Sequence, residues 1–272
     1  MRTQSEKVAA FRALHARDRA FIIPNPWDAG TARLLQSMGF EALATTSAGY
    51  AYTLGKPDGG VDRDAMLAHA ASMVEATDLP VSADLENGYG DAPEDAAETV
   101  RLAGATGLAG CSIEDVPLGR EGGPYDVAFA TERVRAAVEA ARSLPVPIVL
   151  TARAENFVVG RPDLRETIAR LQAFQEAGAD VLFAPGITNE RDVADVVASI
   201  DRPLNVVMGL QGANLTLDRL SELGVKRVSV GSALSRAALG AFLRAAHELR
   251  ESGTFTFARD AVKYADINAM FA

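Results

Sequence analysis

The sequence predicts an α/β fold, a single (β/α)8 TIM barrel with an additional C-terminal helix. Eight short runs rich in β-branched and aliphatic residues alternate with longer segments whose apolar positions recur every three or four residues. No linker divides the chain, and 272 residues suit one large barrel. An open doubly wound sheet is the alternative, but the turn after the first strand, Asn25-Pro26-Trp27-Asp28, lacks a phosphate-binding glycine pattern.

The elements follow in order along the chain. The predicted strands are residues 21–23, 42–44, 80–83, 111–113, 148–150, 181–183, 204–207 and 228–230. The predicted helices are residues 28–38, 63–76, 93–106, 129–142, 164–177, 190–199, 217–223 and 233–250. Four helices are followed by glycine, which readily adopts the left-handed conformation that ends a helix. The predicted domains are a catalytic barrel over residues 1–253 and a helical extension over 254–272, which we expect to pack on a neighbouring subunit.

The composition excludes several functional classes. Lys and Arg number 27 against 36 Asp and Glu, giving a net charge of −9, and without a basic cluster we expect no nucleic-acid partner. A single cysteine, Cys111, excludes an intramolecular disulfide and fits a reducing compartment. The first residues show no export signal, and no segment is apolar enough to span a membrane. We therefore expect a cytoplasmic protein without a membrane partner.

Acidic residues follow two neighbouring predicted strands. Asp84 and Glu86 come after the third strand, and period-two geometry points both side chains the same way. Glu114 and Asp115 come after the fourth strand, where alternation lets only one face inward. Barrel active sites lie at the carboxyl ends of the strands. Because oxygen ligands suit hard divalent cations, these acids predict a site for Mg²⁺ or Mn²⁺. The alternative is that they cap helices or pair with arginines.

Three further segments favour a small anionic substrate. Arg153 ends the fifth strand and is either a salt-bridge partner of the acids or, as we favour, a clamp for a substrate carboxylate or phosphonate. Thr46-Ser47-Ala48 ends the second strand with small residues whose backbone N–H groups can approach an anion. Residues 116–127 form a long loop with three glycines, which is typical of an active-site lid, with an irregular surface loop as the alternative.

Lysine and histidine placement excludes two other chemistries. No lysine ends a predicted strand, which argues against a Schiff-base aldolase. His15, His69 and His247 all fall in helical segments, so a three-histidine zinc site is excluded and packing or surface roles are expected.

The strand ends, in this order, resemble the isocitrate lyase and phosphoenolpyruvate mutase superfamily. The resemblance covers nearly the whole chain, and its most specific parts are Asp84-Leu85-Glu86-Asn87-Gly88-Tyr89-Gly90 and Ile113-Glu114-Asp115. The other matching segments are Asn25-Pro26-Trp27-Asp28-Ala29, Ala32-Arg33, Thr46-Ser47-Ala48-Gly49, Gly55-Lys56-Pro57-Asp58, Thr151-Ala152-Arg153, Gly178-Ala179-Asp180 and Pro203-Leu204-Asn205.

The resemblance implies a Mg²⁺-dependent barrel enzyme that acts on 2-oxo or 2-hydroxy acids through a pyruvate-like enolate. It implies that Asp84 binds the metal directly, while Glu86 and Glu114 hold its waters. The implied substrate-binding residues are Thr46, Ser47, Ala48, Asp84, Arg153 and Asn205. The implied catalytic residues are Asp58, Glu114 and Arg153, with Asp58 near metal and substrate. Tyr125 is a further catalytic candidate, which the resemblance does not supply. The resemblance also implies a homotetramer built as a dimer of dimers, or a dimer, in which the C-terminal helix swaps between subunits.

Departures from the family narrow the expected reaction. The 116–127 loop lacks the K-K-C-G-H motif of the lyases and the Lys and Asn-Ser of the mutases, and strand six ends in Ala184-Pro185-Gly186 where many lyases have glutamate. These differences argue against isocitrate or methylisocitrate cleavage. Decarboxylation of an oxaloacetate-like acid requires fewer catalytic residues from the loop, because the metal accepts the enolate charge. Water, Tyr125 or Glu121 is then the candidate proton donor. The alternatives are a phosphonopyruvate hydrolase or mutase, and a barrel that binds 2-oxo acids without turnover.

Overall fold

The computed structural model describes residues 2–119, 122–210 and 212–271. Its eight strands are β1 Phe21–Ile23, β2 Leu43–Ala44, β3 Val81–Asp84, β4 Gly110–Glu114, β5 Val149–Arg153, β6 Val181–Phe183, β7 Leu204–Val207 and β8 Arg227–Ser229. They pair in parallel in the order β1-β8-β7-β6-β5-β4-β3-β2. The amide of Ala44 donates to the carbonyl of Pro24 at 3.1 Å, which joins the two edge strands. The predicted (β/α)8 barrel is confirmed.

Helices alternate with the strands. They are α1 Gln4–His15, α2 Ala29–Ser37, α3 Ser47–Thr53, α4 Arg63–Ala76, α5 Pro93–Gly104, α6 Val127–Ser143, α7 Leu164–Glu176, α8 Glu190–Ala198, α9 Leu217–Glu222, α10 Ala233–Ser252 and α11 Tyr264–Ala269, with a 3₁₀ turn at Thr256–Arg259. The eight predicted helices of the barrel are present to within two residues at each end, and α11 lies within the predicted helical extension, whereas α1 and α3 were not predicted. The glycines at 39, 107, 178 and 224 all have positive φ, as expected of helix stops.

Helix α1 covers the amino ends of the strands. Its Thr3 and Glu6 form a reciprocal capping box that starts the helix. Phe11 is fully buried and meets Phe21 edge to face at 6.3 Å. A side chain at Gly110 would lie 2.9 Å from the Phe11 ring, so β4 begins with the residue that lets α1 approach. The helix therefore closes the end of the barrel opposite the predicted active site.

The C-terminal region departs from usual barrel packing. Helix α10 follows β8, yet Ser235 is the only buried residue among its 20. Phe242 is 66% exposed, and Phe255 and Tyr264 beyond the helix are exposed as well. The predicted 253/254 boundary falls directly after α10. The exposed apolar surface therefore begins within α10, before the predicted extension. No helix in the described part of the chain is both long and apolar enough to cross a bilayer.

Candidate active site

Neighbouring strand ends bring the predicted carboxylates and arginine together. Asp84 ends β3, Glu114 ends β4 and Arg153 ends β5. Glu114 and Arg153 are direct partners in the β4–β5 register. The next residue, Asp115, faces away and pairs with Arg170 of α7 at 3.1 Å. The expectation that only one of Glu114 and Asp115 faces inward is therefore confirmed.

Arg153 bridges the carboxylates of three different positions. Its Nη1 lies 2.7 Å from Asp84 Oδ1, its Nη2 lies 3.1 Å from Glu114 Oε2, and its Nε lies 2.8 Å from Glu155 Oε1. Burial opposes the charge, but Glu155, Glu114 and Asp84 together hold the pKa of Arg153 well above its ordinary value. The guanidinium is therefore a fixed, fully charged part of the site.

The turn after β3 brings Glu86 into the same cluster by an unexpected route. The strand ends at Asp84, so period-two geometry does not extend to Glu86, which adopts a left-handed conformation with φ of 50°. Tyr89 is left-handed too, with φ of 62°. Such conformations cost roughly 1–3 kcal/mol for residues other than glycine. The amide of Glu114 donates to the carbonyl of Glu86 at 2.9 Å, which holds the turn against β4.

The electrostatics of the cluster show an excess of negative charge. Burial, followed by repulsion from Asp84 and Asp58, raises the pKa of Glu86 to about 8. Burial also raises the pKa of Glu114, although Arg153 opposes the shift. Glu114 Oε2 lies within ion-pair distance of Arg153 but lacks hydrogen-bond alignment, leaving it without a hydrogen bond among the described residues. The cluster can therefore accept additional positive charge.

Ser47 connects the second strand end to the acids. Its hydroxyl lies 3.0 Å from Asp84 Oδ2 and 3.2 Å from Asp58 Oδ1, and its single proton can serve one of them at a time. Its backbone amide also points to Asp84 Oδ2 at 3.3 Å. Thr46 caps α3 by accepting from the amide of Gly49 at 3.2 Å, and Ala48 is buried in the first turn. Thr46, Ser47 and Ala48 thus lie beside the acids, with the Ser47 amide directed at a carboxylate.

A cavity of about 130 Å³ lies inside the barrel below this cluster. Asp84 and Arg153 line it at the carboxyl ends of the strands, and Asn205 and Arg227 line it further in. The Asn205 amide is bonded within the protein: Nδ2 donates to Ser229 at 3.0 Å, and Oδ1 accepts from Arg227 at 2.8 Å. Asn205 therefore faces the cavity but primarily orients its neighbours.

Tyr125 lies apart from the carboxylate cluster. Its hydroxyl donates to Asp91 at 2.5 Å and accepts from Asn87 at 3.0 Å. Burial and the Asp91 contact raise the pKa of Tyr125 to about 12. Its backbone amide donates to the carbonyl of Asp115, which anchors the end of the predicted lid. Glu121, the other candidate proton donor, lies outside the described residues.

Two site residues were missed by the sequence reasoning. Glu155 is fully buried with Oε2 unpaired among the described residues, and its place two residues after Arg153 was a readable signal. The Tyr89 hydroxyl is also buried without a hydrogen bond in the described structure, and burial together with Glu86, Asp84 and Glu114 raises its pKa. No local sequence signal predicts the left-handed turn that places Tyr89 there.

The carboxylates around Arg153 are of the ligand type that a divalent cation requires. In the described part of the chain no three His, Cys, Asp or Glu side chains stand in a ready metal-binding arrangement, and Arg153 bridges Asp84 and Glu114. The chemistry fits nonetheless: the ligands available are hard carboxylate oxygens, one of them without a hydrogen bond among the described residues, and burial together with repulsion from Asp84 and Asp58 raises the pKa of Glu86. These residues fit a hard divalent cation in charge and ligand type.

Comparison with known proteins identifies the family. The sequence pattern of the family described as phosphoenolpyruvate phosphomutase matches residues 11–250. A crystal structure from Burkholderia cenocepacia J2315, described provisionally as a lyase/mutase, is 62% identical with a TM-score of 0.96, covering 99% of this chain and 96% of that one. The chain therefore belongs to the phosphoenolpyruvate phosphomutase family, within the isocitrate lyase/PEP mutase superfamily.

Relatives in sequence are similar over most of their length. Rv1998c of Mycobacterium tuberculosis, an uncharacterised protein, is 32% identical, with 96% of this chain and 95% of that protein covered. Oxaloacetate decarboxylase of Pseudomonas fluorescens is 30% identical, with 92% and 86% covered. The 2-methylisocitrate lyase of Bacillus subtilis is 28% identical, with 93% and 84% covered. Superfamily members with lyase names support a carbon–carbon lyase.

Proposed function

We propose that the chain is a divalent-metal-dependent enzyme that cleaves a carbon–carbon bond in a small 2-oxo or 2-hydroxy dicarboxylate, with an oxaloacetate-like acid as the favoured substrate. The observation that carries this proposal is the carboxylate cluster around Arg153, which lies at the cavity inside the barrel. The oxaloacetate decarboxylase relative supports the substrate class. The missing lid motif argues against 2-methylisocitrate, despite the relative with that activity.

The metal in this proposal is Mg²⁺, with Mn²⁺ as a substitute. Asp84 would hold the ion, and Glu86 and Glu114 would hold its waters. A bound divalent cation polarises the 2-oxo group and offsets the negative charge that develops on the enolate oxygen. Because Asp84 already contacts Ser47, the serine hydroxyl orients the carboxylate that is to meet the ion.

The protein's own groups position the substrate. Arg153 donates from Nη1 to Asp84 and from Nε to Glu155, and its contact with Glu114 is an ion pair without a hydrogen bond, which leaves three of its five N–H groups for a substrate carboxylate. In decarboxylation the electron pair of the broken bond stays on the 2-oxo fragment as an enolate, carbon dioxide leaves, and a proton returns to carbon. Buried walls exclude bulk water and strengthen these interactions.

Parallel assays of oxaloacetate and phosphonopyruvate with Mg²⁺ test the proposal. We expect pyruvate to form from oxaloacetate faster than in matched Mg²⁺ buffer or with Asp84→Ala, since the metal alone promotes this reaction. Phosphate release from phosphonopyruvate without pyruvate from oxaloacetate would replace the proposal with a C–P enzyme. Binding of 2-oxo acids without turnover across the panel would instead favour a binding protein.

We also propose that a second copy of the chain covers α10, giving a dimer or a dimer of dimers. A 20-residue helix with one buried residue, followed by exposed Phe255 and Tyr264, leaves several large apolar side chains exposed, as is typical of a surface that another protein covers. Sedimentation velocity tests this directly. We expect Phe242→Glu to dissociate the assembly, while Met38→Glu, at a similarly exposed apolar residue on another face, leaves it intact. A monomeric wild-type protein would contradict the proposal.

A further inference from the structure

A second arginine lies deep inside the barrel, below the carboxylate cluster. Arg227 begins β8, pairs in register with Phe21 and Asn205, and is only 5% exposed. It lines the same cavity as Arg153. A buried guanidinium normally requires a charged partner, because moving its charge out of water costs several kcal/mol. The partners of Arg227 therefore decide what it can do.

Every hydrogen-bond partner of Arg227 in the described structure is neutral. Nε donates to Asn205 Oδ1 at 2.8 Å, Nη2 donates to Thr151 Oγ1 at 3.1 Å, and Nη1 lies 3.4 Å from His15 Nε2. His15 Nδ1 lies 2.8 Å from the carbonyl of Phe11, so that nitrogen carries the proton and Nε2 is the acceptor. Burial and Arg227 lower the pKa of His15 to about 3, so the ring stays neutral.

Two other buried arginines have carboxylate partners, and a third, Arg133, is satisfied by neutral groups. Arg153 meets three carboxylates, and Arg170 meets Asp115 and Glu166. Arg133 meets the backbone carbonyls of a turn and stacks on the ring of Tyr125. Arg227 has three neutral acceptors for five N–H groups. Two N–H groups and the whole charge thus have no partner among the described residues, and Arg227 lines the cavity.

The wall of the cavity carries several small polar side chains among its apolar ones. Barrels of this kind normally fill their centre with layers of bulky branched side chains. Here the lining includes Ser82, Ser112, Asn205 and Ser229 beside Arg227. Small polar residues leave space that aliphatic ones would fill. The cavity therefore connects the mouth of the barrel, where Asp84, Glu86 and Glu114 lie, with a floor at Arg227, whose positive charge has no counter-ion among the described residues.

We propose that Arg227 binds the second anionic group of the substrate, the carboxylate distal to the 2-oxo or 2-hydroxy acid end. Asn205 and Thr151 are positioning residues that hold the guanidinium toward the cavity. This inference rests on the proposed function, since it places the reacting end at Asp84 and Arg153. It assigns to β8 the preference for a dicarboxylate over a monocarboxylate.

Calorimetric titration with malate and lactate in Mg²⁺ tests the inference, because the two 2-hydroxy acids differ in the distal carboxylate. We expect wild-type protein to bind malate more tightly than lactate. A charge-assisted contact contributes roughly 10- to 100-fold to binding affinity. Arg227→Gln should therefore lower the affinity for malate by about that factor and the affinity for lactate by less than about twofold. Arg227→Lys should retain part of the malate preference, and Arg12→Gln, at an exposed arginine, should leave both affinities unchanged.

The outcomes separate this inference from the proposed function. Equal loss of malate and lactate in Arg227→Gln, or no loss of malate, would overturn the role of Arg227 while leaving the proposed function standing. Wild-type protein that binds neither acid would overturn the proposed function, and the inference with it. If Arg227→Gln fails to fold, wild-type affinity for malate and its distal monoamide decides, and equal affinity for the two contradicts the inference.

Discussion

Two arginines share one cavity in this barrel, and their surroundings are opposite. Arg153 at the mouth is held by three carboxylates, which raise its pKa. Arg227 at the floor contacts neutral acceptors, and burial, with repulsion from Arg153, lowers its pKa to about 9. The comparison teaches that a guanidinium takes its function from its counter-charges. The mouth has an excess of negative charge that can bind a cation, and the floor has a positive charge that can bind an anion.

Removing a carboxylate from the mouth should have the largest effect. Asp84→Ala deletes the proposed metal ligand, and a metal contributes several kcal/mol of charge stabilisation, so we expect turnover to fall by about 10³-fold or more. Calorimetry with Mg²⁺ should show no binding, and circular dichroism should show an intact fold. Asp91→Ala is the matched control, because Asp91 contacts Tyr125 outside the cluster. Unchanged Mg²⁺ affinity in Asp84→Ala would show that the carboxylates at the mouth do not bind the metal.

Neutralising each arginine in turn sharpens the contrast in stability. Arg153→Met leaves Glu114 and Glu155 buried without a positive partner, which should cost about 3–5 kcal/mol of unfolding free energy. Arg227→Met removes a charge that has no counter-ion and leaves only neutral acceptors unpaired, so its cost should stay below about 2 kcal/mol. Urea denaturation measures both. Equal losses would mean that Arg227 contributes as much to the stability of the fold as Arg153 does.

The floor should also respond to pH through His15. The pKa of His15 is lowered to about 3 in the folded protein, so the unfolded chain takes up a proton near pH 6.5 that the folded chain refuses. The contribution of His15 to stability is therefore complete above pH 6.5 and declines toward pH 3. We expect His15→Gln to flatten the stability profile between pH 6 and 4 by up to about 1.4 kcal/mol per pH unit. Parallel profiles for the two proteins would show that His15 titrates normally.

The smallest effect should come from a residue outside both regions. Tyr125→Phe removes the hydroxyl that bonds Asp91 and Asn87 but leaves the ring against Phe129. Because this hydroxyl does not line the cavity, we expect kcat/KM to fall by less than about tenfold, below the 10²- to 10⁴-fold typical of a general acid or base. A loss of 10²-fold or more would restore Tyr125 as the proton donor.

The strand ends were predictable because their geometry is local. Asp84, Glu114 and Arg153 each end a strand, and parallel strands bring such residues to one edge. Glu86 was predicted at the right place by the wrong geometry, since a left-handed turn rather than strand alternation directs it. Arg227 begins a strand, at the end of the barrel where sequence rules expect structural residues. Its missing counter-charge depends on residues far apart in the chain and could not be read from spacing.

Anomalous diffraction from crystals grown with Mn²⁺ and malate tests most directly whether the mouth binds a cation and Arg227 binds an anion. Manganese gives a signal that identifies the ion without ambiguity from water. We expect one strong anomalous peak beside Asp84, with Glu86 and Glu114 turned toward it, and the distal carboxylate of malate against Arg227. A peak elsewhere in the chain, or an ordered malate that leaves Arg227 uncontacted, would contradict it.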